Sequence, residues 1–288
     1  MARSRYRAIK KYIEVLKPRE SILLTFIGFC VVIIASQGQV TWDRLMLAVI
    51  TILFASAGAN GLTNYLDRDI DARMKRTRGR VLPSKRIYPP EKVLPLTVGL
   101  VNIGLILAFL LHPYCFFAGL AGTLAAILWR KRWTCVFPQG IIASWAPVLM
   151  GWFAVDPGFN WQLLLLCVLI AIWLPLHLWS VMIANREDYL GAGIDYFPMS
   201  REPKKVIKLL LGLSIILYAT SIGIYFIAGF SWLYLVLANA MGIVLLYTST
   251  RLVLSNSSKD SWKLYKMSAF PYLGFIFLAM CIDIWLPY

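Results

Sequence analysis

Residues Arg44–Met74 read RLMLAVITILFASAGANGLTNYLDRDIDARM. The part up to Thr63 is mostly apolar and long enough to cross a bilayer core as an α-helix. The part from Asn64 to Met74 sets Asp67, Asp69 and Asp71 beside Arg68 and Arg73. Acids at the edge of a bilayer are costly unless they are solvated, paired or bound to a cation. On a helix that continues past the membrane, Asp67 and Asp71 share a face, one turn apart. That face suits Mg²⁺, which takes one or two carboxylates and fills its other positions with phosphate oxygens and water. A solvated helix end with internal Asp–Arg pairs fits the same spacing.

The rest of the chain has the same apolar character. Of 288 residues, 59% are hydrophobic and only 15% charged, and the mean hydropathy is +0.69. Apolar runs at 20–37, 44–63, 93–111, 113–129, 137–155, 161–182, 207–229, 231–249 and 268–286 predict an all-α membrane bundle of nine helices. The fourth run follows the third almost without a loop. These runs leave no room for a soluble unit, so one domain is expected over 1–288. Residues 1–19 are expected to form a basic segment at the membrane interface, with Tyr6, Ile9, Tyr12, Ile13 and Leu16 on one face. That segment leads into a full-length span and reads as no cleavable signal peptide.

Nine spans put the N-terminus and the even-numbered connections on one side. That side gathers Arg3, Arg5, Arg7, Lys10, Lys11, Lys17 and Arg19, the Arg68–Lys92 loop, Arg130–Arg132, and the Arg186–Lys208 and Arg251–Lys266 segments. The opposite loops and the C-terminal tail are nearly free of Lys and Arg, with Arg44 the exception. Positive charge stays cytoplasmic, so a multi-pass protein of the cell membrane is expected, N-terminus inside and C-terminus outside. The net charge of +15 is then mostly topology and gives no support for nucleic acid as a partner. Cys30, Cys115, Cys135, Cys167 and Cys281 lie in or beside apolar runs, form no C-x-x-C pair, and read as small core residues.

Two inside loops carry the candidate chemistry. In the first, Asp67, Asp69 and Asp71 are followed by Arg73, Lys75, Arg76, Arg78 and Arg80. Acids that hold a metal, next to guanidinium groups, suit a diphosphate, whose charge both can neutralise. An ordinary positive-inside loop explains the arginines but not the acids. The second loop, Asn185–Asp195, sets Glu187 and Asp188 beside Arg186 and can converge on the same face; solvated loop charge is its simpler reading. Lys131 and Arg132 add a third basic element. His177, inside a span, is either functional or a hydrogen-bonded core histidine. No Gly-rich phosphate loop, nucleophile elbow or HExxH is present.

Asp67-Arg68-Asp69-Ile70-Asp71, followed by Met74, Arg76-Thr77 and Arg80, resembles the first signature of the UbiA superfamily of intramembrane prenyltransferases. Within it the chain is most similar to the protoheme IX farnesyltransferases, or haem O synthases. Lys131–Thr134, Pro147 and Gly151–Val155 are similar to that family's basic loop and Gly-Trp-x-Ala-Val segment. His177-Leu178-Trp179, Asp188-Tyr189, Ala192–Ile194 and Pro198-Met199 follow in order, then Lys266–Ser268, Tyr272-Leu273 and Asp283. The likeness covers about residues 20–285. There are departures. Thr63 stands where the family has an Asn, with Asn64 and Asn60 as substitutes. Ala184 stands where a second Asp pair would begin, Leu176 separates Pro175 from His177, and Asp195–Phe197 is an insertion. They bear on the acceptor more than on the reaction.

The resemblance implies a Mg²⁺-dependent transfer of a farnesyl group from its diphosphate to haem b. Asp67, Asp71 and Asp188, with Asn64, would hold the metal. Arg76, Arg80, Lys131 and Arg132 would neutralise the diphosphate, and His177 would bind or orient the haem. Arg68 and Asp69 would be structural partners. A relative acting on a quinone precursor, a chlorophyllide or a glycerolipid is the alternative of the same class. A cation-coupled transporter is the alternative of another, although the acids cluster at one membrane face and not at the midplane.

Overall fold

The structure is a computed structural model and describes residues 2–128 and 139–286. Among the described residues there are helices and no strands. In chain order the helices are α1 (Ala2–Val15), α2 (Pro18–Ala35), α3 (Trp42–Arg73), α4 (Leu94–Leu111), α5 (Pro113–Ile127), α6 (Gln139–Phe153), α7 (Trp161–Ala184), α8 (Arg186–Gly191), α9 (Pro203–Ala228), α10 (Trp232–Ser255), α11 (Ser258–Met267) and α12 (Phe275–Trp285). A short 3₁₀ turn, Pro90–Val93, opens α4, and a π-helical turn, Ser268–Gly274, joins α11 to α12.

Among the described residues seven segments are long and apolar enough to cross a membrane: α2, α3, α4 with its 3₁₀ turn, α7, α9, α10, and α11 through α12. The two other expected spans are the shorter apolar helices α5 and α6. With 15 residues, α5 reaches only about 22 Å at the helical rise. His112 closes α4 and opens α5, its ring nitrogen accepting from the Tyr114 N–H at 3.1 Å, so Pro113 starts a new helix without a loop.

The packing follows from small residues at the crossings, as association within a bilayer requires. A Cβ on Gly104 of α4 would lie 2.6 Å from the Ala55 nitrogen of α3, and one on Gly151 of α6 would lie 2.6 Å from the Gly28 carbonyl of α2. Only glycine allows these two approaches. α2 packs on α3 and α6, α7 on α9 and α11, and α12 returns against α2 to close the ring. Cys30, Cys115 and Cys281 are buried free thiols and Cys167 is half-buried, as core residues; Cys135 lies outside the described residues. Arg44, the odd cation of its side, donates to the Ala154 carbonyl at 2.6 Å, satisfying an acceptor at the end of α6.

α1 exposes Tyr6, Ile9 and Ile13 on one side and buries Val15 on the other. Val15 joins Val81, Leu82, Ile87 and Val93 in a small apolar cluster separate from the main core. This cluster fastens α1 to the long loop between α3 and α4.

Candidate active site

α3 runs ten residues beyond its expected membrane span, through Arg73. Asn60, Asn64, Asp67 and Asp71 therefore follow one another at steps of four, three and four along one helical face. The turn between α1 and α2 wraps this face. Asn60 donates through Nδ2 to the Ser21 hydroxyl at 2.9 Å, and Asn64 donates through Nδ2 to the Val15 carbonyl at 2.6 Å. Lys17 Nζ donates to the Thr63 hydroxyl at 3.2 Å. Of the family's alternative Asn positions, Asn64 is the one that points an amide oxygen inward: its Oδ1 is buried and has no hydrogen-bond partner in the protein. A buried acceptor left unpaired is costly and marks a place for a donor or a cation.

The carboxylate of Asp71 is almost buried, at 7% exposure, and accepts from Arg80 Nη1 at 2.8 Å. The Asp71 carbonyl accepts from the Thr77 hydroxyl at 2.9 Å, so the chain turns sharply after α3 and brings Arg80 back over the acids. From the other charged loop, Asp188 of α8 accepts the Lys75 N–H at 2.6 Å on Oδ1 and the Arg76 N–H at 3.0 Å on Oδ2. Arg76 donates through Nη2 to the Tyr189 hydroxyl at 3.2 Å. The far side of the loop is tied to α1. Arg86 forms a fork with Glu14, at 2.6 and 2.9 Å, and its carbonyl accepts from Lys11 Nζ at 3.1 Å. Two-pronged arginine–carboxylate pairs fix geometry better than single contacts.

The two charged loops thus meet, but the three carboxylates expected to surround one metal are not drawn together. Both Asp188 oxygens are taken by backbone N–H groups. Among the described residues no three of His, Cys, Asp and Glu stand close enough to share an ion. Asp69 is exposed beside Arg68, at 3.8 Å, away from the inward face. Lys131 and Arg132 lie outside the described residues.

Beneath the acids an apolar cavity of about 300 Å³ opens between α3, α5, α6 and α7. Small side chains hollow it: Ala55 and Ala59 of α3, Gly119 and Gly122 of α5, Ala143 of α6, with Met150 deep inside. Lys17, Asn60 and Thr63 stand at its polar end. Beside it a polar recess of about 240 Å³ holds Asn64, Arg80, Lys17 and Glu20. The sequence reading passed over Lys17 and Glu20, counting Lys17 only as topological charge. What could have marked Lys17 is its place directly before Pro18, at the start of a span.

His177 is half-buried on α7, one turn from Trp173. The two rings stack, 4.9 Å between centroids and 17° apart. Both are tied to the π-helical turn: His177 Nδ1 lies 3.0 Å from the Ser268 hydroxyl, and Trp173 Nε1 donates to the Ser268 carbonyl at 2.5 Å. The Ser268 hydroxyl donates to the Tyr265 carbonyl at 3.0 Å. The Ser268 hydroxyl thus stands between the Tyr265 carbonyl and His177 Nδ1 and ties the ring to the turn. The turn itself is broken by Pro271, which has no N–H, and by a non-helical ψ of −135° at Ala269. On its other face His177 packs on the Tyr265 ring at 4.5 Å, and Tyr265 lies within electrostatic reach of Arg76, Arg80 and Glu20. His177 is therefore connected, through one ring, to the basic loop.

Residues 21–276 match the model of the UbiA prenyltransferase family. The chain belongs to this family. It is 33% identical over 285 residues to the protoheme IX farnesyltransferase of Desulforudis audaxviator, a match covering 96% of this chain and 89% of that protein. Another relative of the same description, from Gloeobacter violaceus, is 31% identical, with 96% and 92% covered. In fold it resembles a UbiA homologue of Archaeoglobus fulgidus bound to GPP and Mg²⁺, with a TM-score of 0.64, 12% identity, and 94% and 99% of the two chains covered. The likeness read from the aspartate signature is borne out, and the chain is a prenyltransferase and a multi-pass membrane protein. The transporter alternative is set aside.

Proposed function

We propose that this prenyltransferase moves a farnesyl group from farnesyl diphosphate to haem b, forming haem O, with Mg²⁺ at the inner end of α3. The observation that carries this reading is the junction at that end. A polar recess lined by Asn64, Arg80 and Lys17 stands beside an apolar cavity whose polar end carries Lys17, Asn60 and Thr63, and Asp67 and Asp71 continue the same helical face. An allylic diphosphate has the same two halves.

The donor set fits Mg²⁺: two carboxylates one turn apart and the orphaned Asn64 Oδ1, all hard oxygen ligands. Bound there, the ion would supply positive charge to the leaving diphosphate. Asp67 and Asp71 would hold it, with Asn64 beside them. Asp188 acts from the loop, keeping the Lys75–Arg76 backbone in place. Arg76 and Arg80 meet the remaining phosphate charge. The apolar wall keeps water from the allylic cation that forms when the C1–O bond breaks. The π electrons of a haem vinyl group form the new C–C bond to that cation, which leaves a cation on the carbon next to the porphyrin ring. Water adds there and gives up a proton, completing the hydroxyethylfarnesyl group.

The cavity's length agrees with a farnesyl chain. From Gly140 to Met150 it follows about ten residues of α6, or about 15 Å at the helical rise. An isoprene unit adds four chain bonds and extends about 5 Å, so about three units reach Met150. His177 supports haem as the acceptor: a neutral imidazole that donates from Nδ1 to Ser268 would offer Nε2 to the iron. The charge pattern supports the cell membrane, with the N-terminus and this site inside and the C-terminus outside.

The deciding experiment incubates the purified protein with farnesyl diphosphate, Mg²⁺ and haem b, and follows pyrophosphate release and the haem by mass spectrometry. Haem O that disappears with EDTA and returns with Mg²⁺ is expected. Prenylation of an aromatic acid, a chlorophyllide or a glycerolipid instead would replace the acceptor and leave the family chemistry in place.

A further inference from the structure

We propose that Lys17 is a catalytic residue of the transfer, its ammonium group meeting the diphosphate at the allylic C–O bond. The proposal rests on the reading above, and deepens it. Among the described residues, Lys17 alone lines both the polar recess and the apolar cavity. An allylic diphosphate joins an anionic head to an apolar tail through one C1–O bond. With the head beside Asn64 and Arg80 and the tail running toward Met150, that bond falls at Lys17, the residue the two spaces have in common.

The position is built and not incidental. Lys17 has φ 49° and ψ 65°, a left-handed conformation that a long side chain rarely adopts. It is held there by its neighbours. Ser21 N–H donates to the Lys17 carbonyl at 2.9 Å, the Ser21 hydroxyl to the Leu16 carbonyl at 2.7 Å, and Asn64 to the Val15 carbonyl at 2.6 Å. Strain of this kind persists only where the surroundings impose it, and it gathers at functional sites. The hydroxyl of Thr63 donates to the Asn60 carbonyl at 2.8 Å, which leaves its oxygen free to accept from Lys17 Nζ and aim it.

The step is a heterolysis. The C1–O bond breaks, its electron pair leaves with the diphosphate, and the allylic cation stays in the apolar cavity for the acceptor's π electrons. Lys17 keeps its protons and acts as a compact positive charge where negative charge grows.

Lys17→Gly tests this, because glycine adopts the left-handed backbone freely and keeps the turn. The readings are the melting temperature, the binding of farnesyl thiolodiphosphate, and the rate of pyrophosphate release with and without propylamine. Expected are a wild-type melting temperature, a fall of about 100-fold in kcat, and partial recovery with the amine. Wild-type kcat in the variant, or a loss that propylamine leaves untouched, overturns the proposal. Should Lys17→Gly not fold, Lys17→Met keeps the length without the charge; folded and about 100-fold slower it supports the assignment, and at wild-type rate it overturns it. A wild-type protein that neither binds the analogue nor releases pyrophosphate overturns the functional reading, and this proposal with it. Release with an acceptor other than haem leaves Lys17 in its role, since the bond breaks before the acceptor reacts.

Discussion

Asp188 accepts the backbone N–H of Arg76 at 3.0 Å across 112 residues of sequence, and so fixes the basic loop from the opposite half of the bundle. Asp71 does its work differently, as a nearly buried carboxylate held by the side chain of Arg80. The two acids should therefore fail in different ways. Asp188→Asn replaces one accepting oxygen by a donor facing an N–H, and should raise KM for the diphosphate about tenfold, a cost of about 1.4 kcal/mol, at an unchanged Mg²⁺ requirement. Asp67→Asn and Asp71→Asn should each cut kcat at least about 100-fold and raise the Mg²⁺ needed. Mg²⁺ titrations at saturating farnesyl diphosphate separate the cases. An equal Mg²⁺ shift in Asp188→Asn would place that residue among the metal's ligands after all.

His177→Gln should weaken haem binding while leaving the diphosphate site intact, because the ring is held by Ser268 at Nδ1 and by the face of Trp173 and does not line the recess of Asn64 and Arg80. A lost or shifted Soret band on titration, with analogue affinity within about threefold of wild type, is the expected pair of readings. A fall in both affinities together with the melting temperature would make His177 a packing residue of the π-helical turn.

Met150 should set the length of the chain that is accepted. It is 3% exposed, and Gly119 faces its thioether so closely that a Cβ there would lie 3.2 Å from the sulfur. Met150→Ala should shift the kcat/KM ratio of the twenty-carbon over the fifteen-carbon diphosphate upward by about tenfold, and cost about 2–5 kcal/mol of stability as a core truncation. Competition between the two diphosphates, read by product mass, checks it. An unmoved ratio puts the end of the cavity elsewhere.

Reporters test the topology. One placed after Tyr288 should behave as extracytoplasmic, and one within the Thr77–Lys85 loop as cytoplasmic. Both on one side would show that a connection crosses the membrane differently, with the short α5 the first place to look.

The helices were legible because their signal is local. Each apolar run announces itself by length, and Asp67 and Asp71 show their common face by spacing alone. What was not legible depends on distant pairs. Nothing near Asp188 in sequence says that its partners are the amides of Lys75 and Arg76. The expectation of three carboxylates on one metal counted charges, and only the fold shows that both Asp188 oxygens accept backbone N–H groups. Lys17 was hidden among topological cations, and only the fold reveals the junction it occupies. The shortness of α5 is visible only once His112 is seen closing one helix and opening the next.

The length of α3 makes it a ruler. Ala55 in the apolar cavity and Asp71 at the ion pair belong to one unbroken helix, so their separation and relative angle are fixed by backbone register and not by a loop that can adjust. One residue inserted between Gly61 and Leu66 would rotate everything beyond it by about 100° and advance it by about 1.5 Å. The acids would then face α4 or the lipid, although every side chain would still be present. A change of length is therefore absorbed by the connections and not by α3, along which the count of residues is as much a part of the site as their identity.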